Sequence, residues 1–195
     1  MFSAYRITSP YGWRVRSGKN EFHAGIDLVK GLPGEKSSLP AFVPGTVTWA
    51  KWGNTGTGYG GYGNVVAIRD KNGFTHVYGH LDSINVREGM KVEKGQIVGR
   101  QGTTGASDGV HLHFEVRREG WNTHVNPGEY LASYYRAEEA NKIETCKVRW
   151  VDNTLIGEGL LFNGRTYLPV RALENEKYVV DRWDGTTKTV YLRRV

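Results

Sequence analysis

The chain is nearly without cysteine. Cys146 is the only one in 195 residues, so no internal disulfide can form and no thiolate cluster can hold a metal. Nothing near Cys146 in the sequence supplies a base, which favours a small packed side chain over a catalytic thiol. No stretch approaches the roughly 18 apolar residues of a membrane span, and no basic segment followed by an apolar one opens the chain. These absences predict no membrane partner, and synthesis in a cytoplasm without a secretory address. Compact runs of Lys and Arg are missing too, which argues against nucleic acid as a partner although the net charge is +6. Residues 1–136 carry 16 Lys and Arg against 11 Asp and Glu, whereas residues 137–195 carry 10 against 9. A basic first part suits a polyanionic surface, and a bacterial cell wall qualifies as one.

Helix-forming runs are scarce. Residues 129–142 (EYLASYYRAEEANK) are the one convincing helical stretch, free of Gly and Pro. Elsewhere the 26 glycines and alternating apolar residues point to short strands and tight turns. Asn64–Arg69 and residues 74–81 read as a hairpin closed at Asn72-Gly73. Residues 39–50 read as one strand bent at its prolines, and residues 1–20 as a turn-rich opening. The expected fold class is mainly β. An antiparallel β-sheet domain should fill residues 1–133, with a helical linker over 134–143 and a small β-rich (α+β) domain over 144–195. In that last part, Asn163-Gly164 and Asp184-Gly185 mark hairpin turns, and residues 169–174 one short helix opened by Pro169.

The segment 53–63 reads GNTGTGYGGYG and holds two overlapping G-x-G-x-x-G patterns. A dinucleotide site needs a strand before that pattern and a helix opening at its end. A β-rich segment follows here instead. The loop reads better as one wall of an extended-substrate groove, with Tyr59 and Tyr62 exposed on it.

The histidines stand at 23, 76, 80, 111, 113 and 124. Alternation in Val110-His111-Leu112-His113-Phe114-Glu115-Val116 puts His111, His113 and Glu115 on one strand face. The spacing of four in Phe22-His23-Ala24-Gly25-Ile26-Asp27-Leu28 puts His23 and Asp27 on one side, whether that segment is extended or helical. Two imidazoles and a carboxylate are what tetrahedral zinc accepts while keeping a fourth position open. A third histidine, His80, closes a Tyr-x-His strand. Tyr78 shares its face by alternation, either as a hydrogen-bond donor to a reacting group or as a packed aromatic. His76 shares that face as well. His124 lies in a Trp-Asn-Thr-His loop and reads as exposed and inert.

Taken with Ser9-Pro10-Tyr11-Gly12-Trp13-Arg14, FHAGIDL, YGHL, GRQGTTG, HLHFEVR and the closing VNP, this set resembles the lysostaphin/LytM-type zinc endopeptidases that cut bacterial peptidoglycan. The resemblance covers about residues 5–131. It implies one zinc ion per chain held by His23, Asp27 and His113, with His80 and His111 as catalytic neighbours that do not bind it. Which of those two is base and which acid stays open. Glu115 could orient a ligand from behind. Residues 161–173 and 183–190 resemble the small repeat named for the copper amine oxidase N-terminal domain. No histidine lies beyond 124, so no copper is expected there, and the repeat implies wall binding or homodimerisation. A peptidase, a wall-type appendage and no secretory address together resemble a bacteriophage endolysin, made in the host cytoplasm and released onto the wall. The other readings are a host autolysin of the same chemistry and a catalytically silent wall-binding or scaffold protein.

Overall fold

A computed structural model describes residues 2–16, 18–119, 123–140, 144–150, 155–162, 165–167 and 178–194. The chain divides into two units, Met1–Ala132 and Ser133–Val195. The first holds β1 (Tyr5–Ser9), β2 (Gly12–Arg16), β3 (Lys19–His23), β4 (Ile26–Lys30), β5 (Ser38–Pro40), β6 (Gly45–Trp52), β7 (Asn64–Arg69), β8 (Thr75–Leu81), β9 (Ser83–Ile84), β10 (Lys91–Val92), β11 (Ile97–Arg100), β12 (Leu112–Arg117) and β13 (His124–Val125). Helix α1 (Pro127–Ala140) begins in the first unit and ends in the second. The second unit continues with β14 (Glu144–Trp150), β15 (Leu155–Phe162), β16 (Arg165–Tyr167), β17 (Tyr178–Asp184) and β18 (Thr189–Arg194).

The expected antiparallel β class holds for the first unit. Its main sheet runs β1-β4-β12-β8-β7-β6-β10, with β13 beside β12. Side chains of paired residues lie on the same face of a sheet, so register sorts them. One face carries Leu112 opposite Leu28, Phe114 between Ile26 and Tyr78, and Val116 opposite His76. These side chains are buried and make the core. The other face carries His113 between Asp27 and Gly79, then Glu115 opposite Val77, then Arg117 opposite Thr75. A row of polar groups therefore crosses the middle of the sheet on the side away from the core.

The β7–β8 hairpin forms as predicted. Gly73 takes φ +82°, and Asp70 Oδ1 accepts the backbone N–H groups of Asn72 and Phe74, both at 2.9 Å. Several boundaries differ from the expectation. The opening 1–20 is β1 and most of the β2–β3 hairpin, not a string of turns. Residues 39–50 are not one bent strand: Pro40 and Pro44 bracket a break, after which the chain enters a different sheet. Helix α1 starts two residues early because Asn126 caps it. Its Oδ1 accepts from Gly128 N at 3.0 Å, and Pro127 fills the first helical position. Val-Asn-Pro is thus a helix start as well as a strand stop.

The second unit is a five-stranded sheet ordered β16-β15-β14-β18-β17, in which β14 and β18 run parallel. A turn at residues 185–188 joins β17 to β18, as the Asp184-Gly185 pair predicted, and Asp184 Oδ1 accepts Thr186 N at 2.9 Å. The predicted turn at Asn163-Gly164 and helix at 169–174 lie outside the described residues, as do the side-chain surroundings of Cys146. Among the described residues, no helix is long and apolar enough to cross a membrane.

Tyr78 belongs to the core. It is fully buried, its hydroxyl accepts Phe42 N at 2.7 Å, and its ring lies 5.1 Å from that of Phe114. Tyr78→Phe removes the hydroxyl that accepts that buried N–H, at a cost of about 1–3 kcal/mol. Urea unfolding should show this loss while every property of the polar face stays as in the parent chain.

Candidate metal centre

Asp27 and His113 meet because their strands pair. They sit opposite each other in the β4–β12 register, and Asp27 Oδ1 lies 2.9 Å from His113 Nδ1. His23 arrives differently. The spacing of four predicted one continuous segment, but β3 ends at His23, and Ala24-Gly25 bend the chain before β4 begins. That bend folds His23 back, so its Nε2 stands 3.2 Å from Asp27 Oδ1 and 3.1 Å from His113 Nδ1. Gly25 is what the close approach requires. A Cβ there would stand 2.5 Å from Phe114 O and 2.9 Å from His113 Cε1.

Three donor atoms thus form a triangle with edges of 2.9–3.2 Å. Zinc bonds of about 2.0–2.1 Å in tetrahedral array need ligand atoms about 3.3 Å apart. The donor set therefore fits such an ion, and these residues form the only candidate metal group of His, Cys, Asp and Glu among the described residues.

Each imidazole is held from behind. His23 Nδ1–H donates to Pro10 O at 2.8 Å, and His113 Nε2–H to Glu115 Oε1 at 2.8 Å. His80 Nδ1–H donates to Thr104 O and His111 Nδ1–H to Gly109 O, both at 2.8 Å. A carbonyl or carboxylate oxygen only accepts, so each bond fixes the proton on the outer nitrogen and leaves the inner one to face the centre. The ring centroids of His80 and His111 lie 4.9 Å apart, and His111 Nε2 is 3.5 Å from Asp27 Oδ1. All five histidine and aspartate residues implied by the resemblance line one cavity of about 580 Å³.

His80 has φ +59°, a left-handed backbone that non-glycine residues rarely adopt. It is held there by its own N–H on Tyr62 O at 2.7 Å and by the Thr104 contact. This conformation breaks the strand alternation. Tyr78 and His76 consequently do not share the His80 face, and Tyr78 is no part of the cavity wall. His76 is fully buried on the core side, with Nε2 3.0 Å from Asp70 Oδ2, an oxygen that also accepts the Tyr130 hydroxyl.

Burial opposes charge on His113, but the carboxylates of Asp27 and Glu115 on its two nitrogens prevail and lift it to about 9. Burial likewise opposes the charge of Asp27, yet His113 and His23 hold its carboxyl far below the usual range. His80 goes the other way, pushed down to about 4 chiefly by burial. At neutral pH its inner nitrogen therefore carries a lone pair.

Tyr59 and Tyr62 are half-buried, not exposed as expected. The Tyr62 hydroxyl donates to Glu115 Oε1 at 2.5 Å, and the Tyr59 ring packs 5.0 Å from that of Trp49. Tyr62 lines both that cavity and a neighbouring one of about 550 Å³, whereas Tyr59 lines only the second. His124 is neither exposed nor in a loop. It lies in β13, stacked 5.1 Å from Phe22. Sequence reasoning passed over Arg14 and Arg117. Arg14 Nη1 is 3.5 Å from Asp27 Oδ2, and its Nε is 2.6 Å from Glu21 Oε1. Arg117 Nε donates to Glu115 Oε2 at 2.5 Å. The signal was present in each case: Arg117 stands at alternate spacing from His113, and Arg14 lies across the β2–β3 hairpin from Glu21.

The profile of peptidase family M23 matches residues 21–127. The chain belongs to that family. It is 38% identical over 126 residues to the DD-carboxypeptidase/endopeptidase Mpg of Neisseria meningitidis serogroup B, covering 63% of this chain and 26% of that protein. It is 42% identical over 115 residues to a lipoprotein NlpD/LppB homolog of Pseudomonas aeruginosa, covering 59% and 35%. The murein hydrolase activator NlpD of Escherichia coli is 36% identical over 107 residues, or 55% of this chain and 25% of that one. Among solved structures, the catalytic domain of lysostaphin from Staphylococcus simulans superposes with a TM-score of 0.57 at 29% identity, over 67% of this chain and 95% of that domain. The chain thus spans between 25% and 35% of the length of these curated relatives.

These relatives correct one expectation. Two of the relatives this chain matches are named lipoproteins, which points to the cell envelope and against a lysin made in a cytoplasm without a secretory address. The endolysin reading leaned on that address, and the comparisons lend it no support. The family match ends at residue 127 and does not reach the second unit's β-sheet.

Two outcomes follow from the geometry. Gly25→Ala should weaken metal binding by tenfold or more, measured by competition with a chromophoric chelator, because the bend must leave β12. Below about pH 9 the metal-free centre carries a proton on His113 that an incoming cation must expel. Metal uptake at pH 7 should therefore release close to one proton in weakly buffered solution, and affinity should rise with pH until His113 has lost its proton.

Proposed function

We propose that the chain is a zinc-dependent endopeptidase acting on bacterial peptidoglycan, cutting a stem or cross-bridge peptide, with one zinc ion per chain. The observation that carries this is the complete set in one cavity: three converging donor atoms at His23, Asp27 and His113, with the inner nitrogens of His80 and His111 beside them. Bound there, zinc supplies a Lewis acid that polarises a carbonyl and acidifies water toward neutrality. The chain's own residues do the rest. His80, uncharged at neutral pH, and His111 lie where one can take a proton from water and the other can pass one to the departing amine. Their Nδ1 anchors on Thr104 and Gly109 keep both rings aimed as protons move. Tyr62 walls the cleft on the side of the glycine loop, and Tyr59 walls the neighbouring cavity, giving an extended peptide two places to lie. Residues 144–195 would then serve as a wall-binding or homodimerising appendage.

A second reading has its own support. The chain is 36% identical over 107 residues to a protein named a murein hydrolase activator, little below the 38% over 126 residues to a named endopeptidase, and a regulator without hydrolysis of its own would bind the same wall. On that reading the polar cluster serves only as structure, and chelation leaves function intact.

The two part cleanly in solution. Purified peptidoglycan incubated with the protein should release new amino termini, and a zinc chelator should abolish that release. His113→Ala should lose zinc and hydrolysis together, whereas His80→Ala should keep zinc and lose at least a hundredfold in rate. No release by the zinc-loaded parent protein selects the regulator, and loss of zinc from both variants overturns the division of roles.

A further inference from the structure

Glu115 is wholly buried, with a histidine on one oxygen and an arginine on the other. Burial opposes its charge, but His113 and Arg117 hold its carboxyl down at about 2. Its two oxygens take three donors: His113 Nε2 and the Tyr62 hydroxyl on Oε1, and Arg117 Nε on Oε2. Removing one such donor from a buried carboxylate is costly. Arg117 does more than balance that charge. Its Nη1 donates to Gly58 O at 2.9 Å and its Nη2 to the Tyr62 hydroxyl at 3.3 Å, and its guanidinium lies 5.3 Å from the Tyr59 ring centroid. Tyr62 pins the base of the glycine loop, where its carbonyl accepts His80 N at 2.7 Å. Gly58 lies further out, in the stretch that lines the second cavity. One planar side chain therefore grips the outer loop with one edge and the support of a metal ligand with another. Lysine, with a single nitrogen, cannot do both.

We propose that Arg117 is a positioning residue that couples the outer glycine loop, residues 54–60, to the metal ligand His113 through Glu115. The inference rests on the metal reading above and deepens it: cation binding stiffens the wall of the cleft, and a peptide lying on that wall tightens the cation in return. Arg117 touches neither the reacting groups nor the ion.

The test is amide hydrogen exchange of the whole chain with and without zinc, beside a zinc competition titration. In the parent protein zinc should slow exchange at 54–60 several-fold, together with 23–28. In Arg117→Met the zinc effect at 54–60 should vanish while that at 23–28 persists, and zinc affinity should fall about tenfold. Arg117→Lys keeps the charge on Glu115, so it should hold zinc within about threefold of the parent yet still lose the loop effect; it also serves if the methionine variant does not fold. Equal zinc-dependent protection of the loop in parent and variants overturns the coupling, as does its absence in the parent. A parent chain that binds no zinc overturns the metal reading itself, and the coupling with it.

Discussion

The pairing of β12 with β4 is the constraint on which the rest of the molecule depends. It sets Asp27 opposite His113 on one face of the sheet and Leu28 opposite Leu112 on the other. Side chains alternate strictly, so a slip of one residue would exchange the two faces. Burial of Leu112, Phe114 and Val116 thereby specifies the polar face as firmly as it specifies the core. The donor triangle needs no separate device to align two of its three atoms, because the hydrophobic register does so.

Support of the centre comes from outside it. Four imidazoles have their outer nitrogens tied to Pro10, Thr104, Gly109 and Glu115, and three of those ties are backbone carbonyls of turns or loops. Carbonyls of fixed backbone set a tautomer without adding charge. Glu115 is the exception, a buried anion that makes His113 a stronger donor and requires Arg117 in return. The electrostatics of the site therefore extend from the cation position through β12 to the glycine loop, along residues that all point to one side of a single strand.

Much of this was legible in the sequence, and the failures have physical causes. Alternation in HLHFEVR placed His113 and Glu115 correctly, because β12 is regular through them; His111 stands just before β12, bridged to Gly102, and lines the same cavity as His113. The same rule applied to Thr75–Leu81 misplaced Tyr78 and His76, because His80 leaves the β region of backbone space and takes its side chain to the other face. The spacing of His23 and Asp27 gave the right neighbours for the wrong reason, a bend at Gly25 instead of a continuous element. Prolines at 40 and 44 announced a break without revealing that the chain changes sheets there. Exposure of Tyr59 and Tyr62 was inferred from a glycine-rich setting, and the partners that bury them, Trp49 and Glu115, are distant in sequence. The second unit's strands were visible as apolar alternation, but its parallel β14–β18 pair joins strands at opposite ends of that unit, which local pattern cannot reveal.

The left-handed backbone of His80 has a consequence for how such a fold can drift. Asparagine and aspartate tolerate that conformation better than other non-glycine residues, and each is one base away from a histidine codon. A lineage could therefore discard the imidazole at this position in a single step without disturbing the path of the chain or the donor triangle beside it. On the proposed reading, the shape of the fold and its three donor atoms would outlast turnover. A scaffold built in this way lies one mutation from a regulator, which offers one route by which peptidases and activators could come to share it.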